Sequence, residues 1–283
     1  MSDRASRDRI TQGRGAAGVR RSTDRYARHR PLFSPGAWER LGRTRIVLAG
    51  MGGLGSHVAQ TVARLAPVNM ELWDPATVDE PDLNRQVLYR PEHLGAAKVE
   101  VAARELSATN PEIAITTYRR PITAAAFVDS AALTATNAAT GTRPEATEPL
   151  IIMDCLDSFE ARGALEDIRR THGIPVVHAG VEEWFAQAAL FPGGGHGPGY
   201  ESVYGADFRT LPAAGKPVMP HVVALIASIQ VGLLIEWLDS GEEGAPPPAR
   251  RPALFVYDGK RRRLERVALT AGDASEGGNR GSG

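Results

Sequence analysis

The chain predicts a doubly wound, mostly parallel α/β sheet with an antiparallel extension at its C-terminal end. Three observations carry this: short apolar runs that stop at Gly or Asp, helical periodicity between those runs, and a late hairpin signal. The 283 residues, 42% of them hydrophobic, suffice for one large core. Residues 25–270 are accordingly read as one domain between disordered tails at 1–24 and 271–283. The first tail is rich in Arg, Ser and Gly and has no apolar stretch, so it reads as neither a packed element nor a signal peptide.

Arg45 to Ala49 (RIVLA) reads as a strand ending at Gly50, followed by a helix from His57 to Leu65 and a second strand from Met70 to Trp73. This βαβ unit favours a parallel sheet. Leu94 to Thr109 reads as a helix stopped by Asn110 and Pro111, and Ile113 to Tyr118 as the next strand. Residues 131–149 lack periodicity and read as an exposed loop. Leu150 to Met153 is apolar throughout, as a central parallel strand should be. A helix over Ser158–His172 and a strand over Pro175–His178 follow. Gly193 to Gly199 (GGGHGPG) reads as a loop with no helix after it to make a phosphate site. Val222 to Ile235 reads as a buried helix or an oligomer contact, too short to span a bilayer. Leu254–Tyr257, the turn Asp258-Gly259 and Leu264–Leu269 suggest a hairpin.

Lys plus Arg equals Asp plus Glu at 33 each, which gives no bulk attraction to nucleic acid or a membrane surface. One cysteine, Cys155, excludes an internal disulfide and any cysteine-based zinc site, and fits a cytoplasmic protein. Beside a central strand it reads as a small buried hydrophobe.

The chemistry begins at Gly50-Met51-Gly52-Gly53-Leu54-Gly55, between a strand and a helix, where small residues let backbone approach a phosphate at the helix N-terminus. Asp74, at the end of the next strand, can accept from ribose hydroxyls. A nucleotide site follows, and the glycine pattern alone points to NAD or FAD in a dehydrogenase ahead of ATP. Further along stand Asp82-Leu83-Asn84-Arg85-Gln86, Lys98 and Asp154-Cys155-Leu156-Asp157-Ser158-Phe159-Glu160-Ala161-Arg162. With the glycine loop, their order and spacing resemble the MoeB/ThiF/ubiquitin-activating family, from about residue 25 to 238.

That resemblance implies a Rossmann-like fold and an ATP- and Mg²⁺-dependent adenylyltransferase that activates a carboxylate as an acyl-adenylate. It implies Arg85 and Lys98 as the phosphate cations and Asp157 as the Mg²⁺ ligand. It places Gly50, Gly52, Gly53, Gly55, Asp74, Asn84, Gln86 and Arg162 among the nucleotide-binding residues, Arg162 as the anchor of its loop. Attack by a carboxylate on the α-phosphate brings two anions together, so cations and a hard metal are the chemistry required. Arg25-Tyr26-Ala27-Arg28-His29 resembles the family's R-Y-x-R-Q stretch, which implies a homodimer with Arg28 reaching the partner's phosphates.

The chain departs from the pattern in several places. Gly199-Tyr200-Glu201-Ser202 stands where relatives carry the first zinc C-x-x-C pair, so no zinc is expected. Phe208-Arg209-Thr210 stands where relatives carry a crossover-loop cysteine, so no thioester or persulfide can form there. Asp74-Pro75-Ala76 replaces a D-x-D, and Asp82 brings a negative charge close to the phosphates. The carboxylate partner is then the Gly-Gly terminus of a ubiquitin-like sulfur carrier, or a small-molecule or peptide acid. Alternatives are an enzyme like tRNA threonylcarbamoyladenosine dehydratase, a nicotinamide oxidoreductase, and a catalytically idle nucleotide-binding partner. His57 and His178 could face a ligand, though a hydrogen-bonded structural role is the commoner outcome.

Overall fold

A computed structural model describes residues 24–130, 148–212, 217–239 and 252–270. The expected tails, Asp24 apart, and most of the loop expected at 131–149 lie outside the described residues.

Eight strands form one sheet in the order β3-β2-β1-β4-β5-β6-β7-β8. They are β1 (Arg45–Ala49), β2 (Asn69–Trp73), β3 (Ala114–Tyr118), β4 (Leu150–Asp154), β5 (Val176–Glu182), β6 (Phe185–Phe191), β7 (Ala253–Asp258) and β8 (Arg263–Ala268). The first five pair in parallel and the last three antiparallel, as expected of a doubly wound sheet with an antiparallel extension. Order reverses between β1 and β4, so the crevice at their C-terminal ends is the switch point where such sheets bind ligands.

The two-residue strand period divides the core in two. Ile46, Leu48, Met70, Leu72, Ile151 and Met153 face α1 (Pro35–Arg43), α2 (Gly53–Leu65), α3 (Lys98–Thr109) and α7 (Pro220–Asp239). Val47, Ala49, Trp73, Ile152 and Val176 face the opposite layer. That layer holds α4 (Ala124–Val128), α5 (Phe159–His172) and α6 (Tyr200–Tyr204). Strands buried on both faces need continuous apolar runs, which is why RIVLA and LIIM were legible.

Several boundaries differ from the sequence expectation. The helix expected from Leu94 starts at Lys98: a 3-10 turn over Pro91–His93 and Gly95 at φ +81° redirect the chain first. Lys98 N–H then donates to Ala76 O at 3.0 Å, which sets the lysine at the mouth of the sheet. β5 continues to Glu182, beyond the expected end at His178, because β6 pairs with it from Val176 to Glu182. β6 itself had no turn signal: the reversal uses Glu183 in the left-handed region at φ +51° instead of an Asn-Gly pair. The late hairpin is present, with β8 starting at Arg263 after a longer turn whose N–H groups at Lys260 and Arg261 donate to Asp258.

A short helix, α6, does follow the glycine-rich loop, contrary to expectation. That loop is held by Arg169, which donates to Pro192 O at 2.7 Å and Gly194 O at 2.6 Å while paired with buried Glu166. A Cβ on Gly199 would meet the Glu166 and Arg169 side chains at 2.8 Å, so the loop serves packing.

Helix α7 runs 20 residues, longer than its apolar core suggested, and by length and composition could cross a membrane. Its length corrects the expectation of a segment too short to span. Half of its most apolar window is buried, with Val222, Ile226, Val231, Leu234 and Leu238 packed toward α2, β5 and β6.

Candidate active site

A cavity of about 880 Å³ opens at the C-terminal ends of β1, β2, β4 and β5. One half of it begins at the turn from β1 into α2. Gly50 sits at φ +94°, and a Cβ there would lie 2.7 Å from Cys155 O. A Cβ on Gly55 would overlap Gly50 O at 2.0 Å. Glycine at both positions lets α2 start directly over the strand, with the free N–H groups of its first turn at the cavity. Tyr89 Oη donates to Met51 O at 2.7 Å and fixes the turn from behind.

Asp74 joins this turn through its carboxylate. Oδ2 accepts from Met51 N–H at 2.7 Å and Oδ1 from Ala76 N–H at 2.8 Å, leaving a lone pair on each oxygen for a ligand hydroxyl. Burial raises its pKa against the lowering effect of these N–H groups and of Lys98, and the charge of Asp157 adds to the rise. Asp74, Lys98 and Asp157 thus share one electrostatic neighbourhood.

Asp82 gathers the cations. Lys98 Nζ lies 3.0 Å from its Oδ2 and Arg85 Nη2 lies 3.7 Å from its Oδ1. Gln86 Nε2 donates to Oδ1 at 2.5 Å, and the N–H of Asp79 to Oδ2 at 3.1 Å. The negative charge that looked unfavourable in the sequence is therefore neutralised by two cations.

The second anchor is the turn after β4. Asp154 is fully buried, and its pKa is lowered because Arg162 and His178 outweigh the upward push of burial. Asp154 Oδ1 accepts from Leu156 N–H at 3.0 Å, and Gln230 Nε2 on α7 donates to Asp154 O at 2.9 Å. Arg162 donates from Nε to Asp154 Oδ2 at 3.3 Å and from Nη2 to Leu156 O at 2.7 Å and Ala179 O at 3.1 Å. Ser158 caps α5 by accepting from Ala161 N–H. Between these fixed points Asp157 is exposed at the cavity. Cys155 is buried, with its thiol pKa pushed up by burial, and Sγ lies 3.8 Å from Gln230 Oε1.

The cavity wall thus brings together Gly50, Gly52, Gly53, Asp74, Arg85, Gln86, Lys98, Asp157 and Arg162. Three residues expected among them lie elsewhere, and Arg162 stands where an anchor of its loop is expected. Gly55 packs helix on strand. Asn84 is exposed outside the wall, with Oδ1 accepting from Arg85 Nη1 at 3.0 Å. Arg28 is exposed on a segment tied to the far end of α2, where His29 Nε2 contacts Leu65 O at 2.7 Å. At about 1.5 Å per residue, α2 separates Arg28 from its own glycine turn by roughly 20 Å. Arg162 lines the wall, and through Nε and Nη2 it ties Asp154 and Leu156 O of the turn to Ala179 O of β5, so it positions the turn that carries Asp157.

Sequence reasoning missed Asp82 as an ion-pair hub, Tyr89, Gln230 and the polar wall around Tyr204; only the Tyr200/Tyr204 helical spacing hinted at the last. Gln86 Oε1 and Trp73 Nε1 are buried in wall residues without a protein partner, valences that a ligand or water can satisfy. Among the described residues, no cluster of three or more His, Cys, Asp or Glu side chains forms a ready metal site.

A switch-point cavity with a glycine turn, a buried carboxylate beside it and paired cations is the architecture of the activating-enzyme fold. The chain belongs to the ThiF family, whose description matches residues 26–277. It is 30% identical to the sulfur carrier protein adenylyltransferase of Thermus thermophilus, over 74% of this chain and 70% of that one. It is 28% identical to the SAMP-activating enzyme E1 of Haloferax volcanii, over 77% of each chain. With the ubiquitin-like modifier-activating enzyme 5 of Drosophila willistoni it shares 32% over 52% of this chain, a match that spans about a third (35%) of that protein. By fold it superposes on PaaA (TM-score 0.65, 19% identity, 94% of this chain and 78% of that one) and on E. coli MccB with ATP (0.65, 18%, 89% and 74%). By these relatives its class is that of adenylyl-transferring enzymes.

Proposed function

We propose that this chain binds ATP with Mg²⁺ and activates a carboxylate as an acyl-adenylate, releasing pyrophosphate, without a cysteine of its own to capture the product. The supporting observation is the convergence of Asp74, Arg85, Lys98 and Asp157 on the Gly50–Gly53 turn in one cavity that continues past the β4 turn. In this reading Asp74 takes the ribose, and the N-terminus of α2 with Arg85 and Lys98 takes the phosphates. An incoming carboxylate oxygen displaces pyrophosphate at the α-phosphorus. Mg²⁺, which keeps most of its waters and needs few protein oxygens, would neutralise phosphate charge at Asp157. That fits a lone exposed carboxylate better than a closed metal cage.

The acid is the C-terminus of a small carrier protein, as the names of the Thermus and Haloferax relatives suggest, or a peptide or small acid, in line with the structures titled as MccB with MccA. In this reading the enzyme is a cytoplasmic homodimer, and Arg28, beyond the far end of α2 from its own glycine turn, serves the phosphate site of the neighbouring subunit. ATP–pyrophosphate exchange with a panel of such acids tests the reading. Exchange should appear with a subset and fall roughly 100-fold or more in Lys98→Met, the scale for losing one transition-state donor. ATP binding with no exchange on any acid would instead favour an idle partner protein.

A further inference from the structure

The late hairpin turns at the same end of the sheet as the cavity. β5 and β7 each pair antiparallel with β6, so they run parallel to each other, and Asp258 at the end of β7 stands at the end where the cavity opens. The register continues this row: Glu182 lies opposite Phe185, Phe185 opposite Asp258, and Asp258 opposite Arg263. Phe185 and Val256 line the cavity, so the turn from β7 into β8 stands just outside its rim.

That turn is anchored at its base and strongly basic at its tip. Gly259 N–H donates to Trp184 O at 2.7 Å, and a Cβ on Gly259 would lie 2.9 Å from Trp184 O and 3.0 Å from Val222 Cγ2. Asp258 Oδ1 accepts from the N–H groups of Lys260 and Arg261 at 3.0 Å each. On this base stand four consecutive cations, Lys260, Arg261, Arg262 and Arg263, all exposed. Arg261 pairs with Asp258 and Arg263 with Glu265. Lys260 and Arg262 form no ion pair among the described residues. Arg262 also holds φ +55°, a left-handed backbone that favours glycine, yet the residue there is an arginine.

Position decides what these cations can read. Neighbouring strands lie about 4.8 Å apart, and β7 is four strands from β1, so the hairpin turn is roughly 20 Å from the glycine turn. An extended chain advances about 3.3 Å per residue, so a chain whose terminal carboxylate is activated at the nucleotide passes the hairpin turn roughly six residues upstream. A small acid ends well short of it. Glu182 and Glu183 line the cavity itself, so the cations form a separate surface outside it. Asp258 and Glu265 within the patch suit the mixed charges of a polypeptide better than the unbroken charge of a nucleic-acid backbone. Single-stranded nucleic acid also wants an aromatic platform, and Tyr257, the nearest aromatic residue along the chain, is buried.

We infer that the acid activated here is the C-terminus of a polypeptide with acidic side chains upstream, and that Lys260 and Arg262 on the β7–β8 turn are the surface that reads them. Charges at a rim steer encounter and select partners, and salt screens them. The inference rests on the activation reading and chooses a polypeptide over a small acid as its substrate class.

The test is calorimetry on the full-length protein saturated with a non-hydrolysable ATP analogue and Mg²⁺, with two N-acetylated peptides, Asp-Glu-Asp-Ala-Ser-Ala-Ser-Gly-Gly and Asn-Gln-Asn-Ala-Ser-Ala-Ser-Gly-Gly. At low ionic strength the acidic peptide should bind at least about fivefold more tightly. The double variant Lys260→Ser with Arg262→Gly should cut that preference to below about twofold and leave affinity for the neutral peptide and the ATP analogue unchanged. Glycine suits the left-handed position, so the turn is retained. Salt at about 1 M should erase the preference in the unaltered protein as well. Equal binding, tighter binding of the neutral peptide, or a preference untouched by the double variant would overturn the inference. So would an oligo-uridylate that binds more tightly than the acidic peptide through the same two residues, or binding of the ATP analogue with neither peptide retained. Failure to bind the ATP analogue would strike the activation reading itself.

Discussion

Asp82 shows how one residue sets the starting state of the phosphate site. Its carboxylate holds Lys98 and Arg85 where a triphosphate would need them, so nucleotide must compete with an internal anion. Asp82→Asn keeps the shape and removes the charge; ATP affinity, read by calorimetry, should rise roughly three- to tenfold, up to about 1.4 kcal/mol. A fall would mean that Asp82 organises the cations for the phosphates instead. Asp74 gives a pH dependence. If it takes the ribose as proposed, it accepts best when ionised, and burial raises its pKa. ATP affinity should therefore decline on acidification from a higher pH than an ordinary aspartate would give. Asp74→Asn should bind ATP more weakly at neutral pH and lose that slope.

At the scale of elements, the turn from β1 into α2 depends on atoms that are absent. An added methyl at Gly55 overlaps Gly50 O, so Gly55→Ala should cost about 3 kcal/mol, seen as a lower urea midpoint together with weakened ATP binding. The turn after β4 depends on a buried ion pair. Removing one partner leaves the other charge uncompensated, and Arg162→Met should lose roughly 3–5 kcal/mol of unfolding free energy. If Arg162 were mainly a ligand contact, its loss would lower ATP affinity and leave stability unchanged. The antiparallel half of the sheet shows why β6 is not legible in the sequence: FAQAALF carries three alanines and no β-branched residue, and the tight reversal before it uses a left-handed Glu183.

At the scale of the whole molecule, the Arg28 segment and the cavity lie at opposite ends of α2. If Arg28 acts across a dimer, Arg28→Ala and Lys98→Met chains should each be nearly inactive alone, yet recover activity when mixed. In a mixed dimer one site has both groups intact. Pyrophosphate exchange on the mixture, compared with the sum of the separate variants, measures this. No gain after demonstrated subunit exchange would return Arg28 to the role of a surface charge.

Arg85, Lys98 and Asp157 are implied by family resemblance; the sequence by itself determined the parallel half of the sheet, the glycine turn and the place of Asp74 after the second strand. These features reside in local spacing and in apolar runs that a strand buried on both faces requires. Tertiary structure alone decided which partners hold the polar residues. Arg162 holds a turn because Asp154 and two carbonyl groups surround it, and Asp82 is neutralised because a helix start brings Lys98 within 3.0 Å. Tyr204 Oη meets His178 Nε2 at 2.9 Å and Gln187 Nε2 at 2.6 Å, partners that lie 26 and 17 residues away along the chain. The state of a titratable group depends on burial and neighbours in space, and spacing along the chain does not encode them.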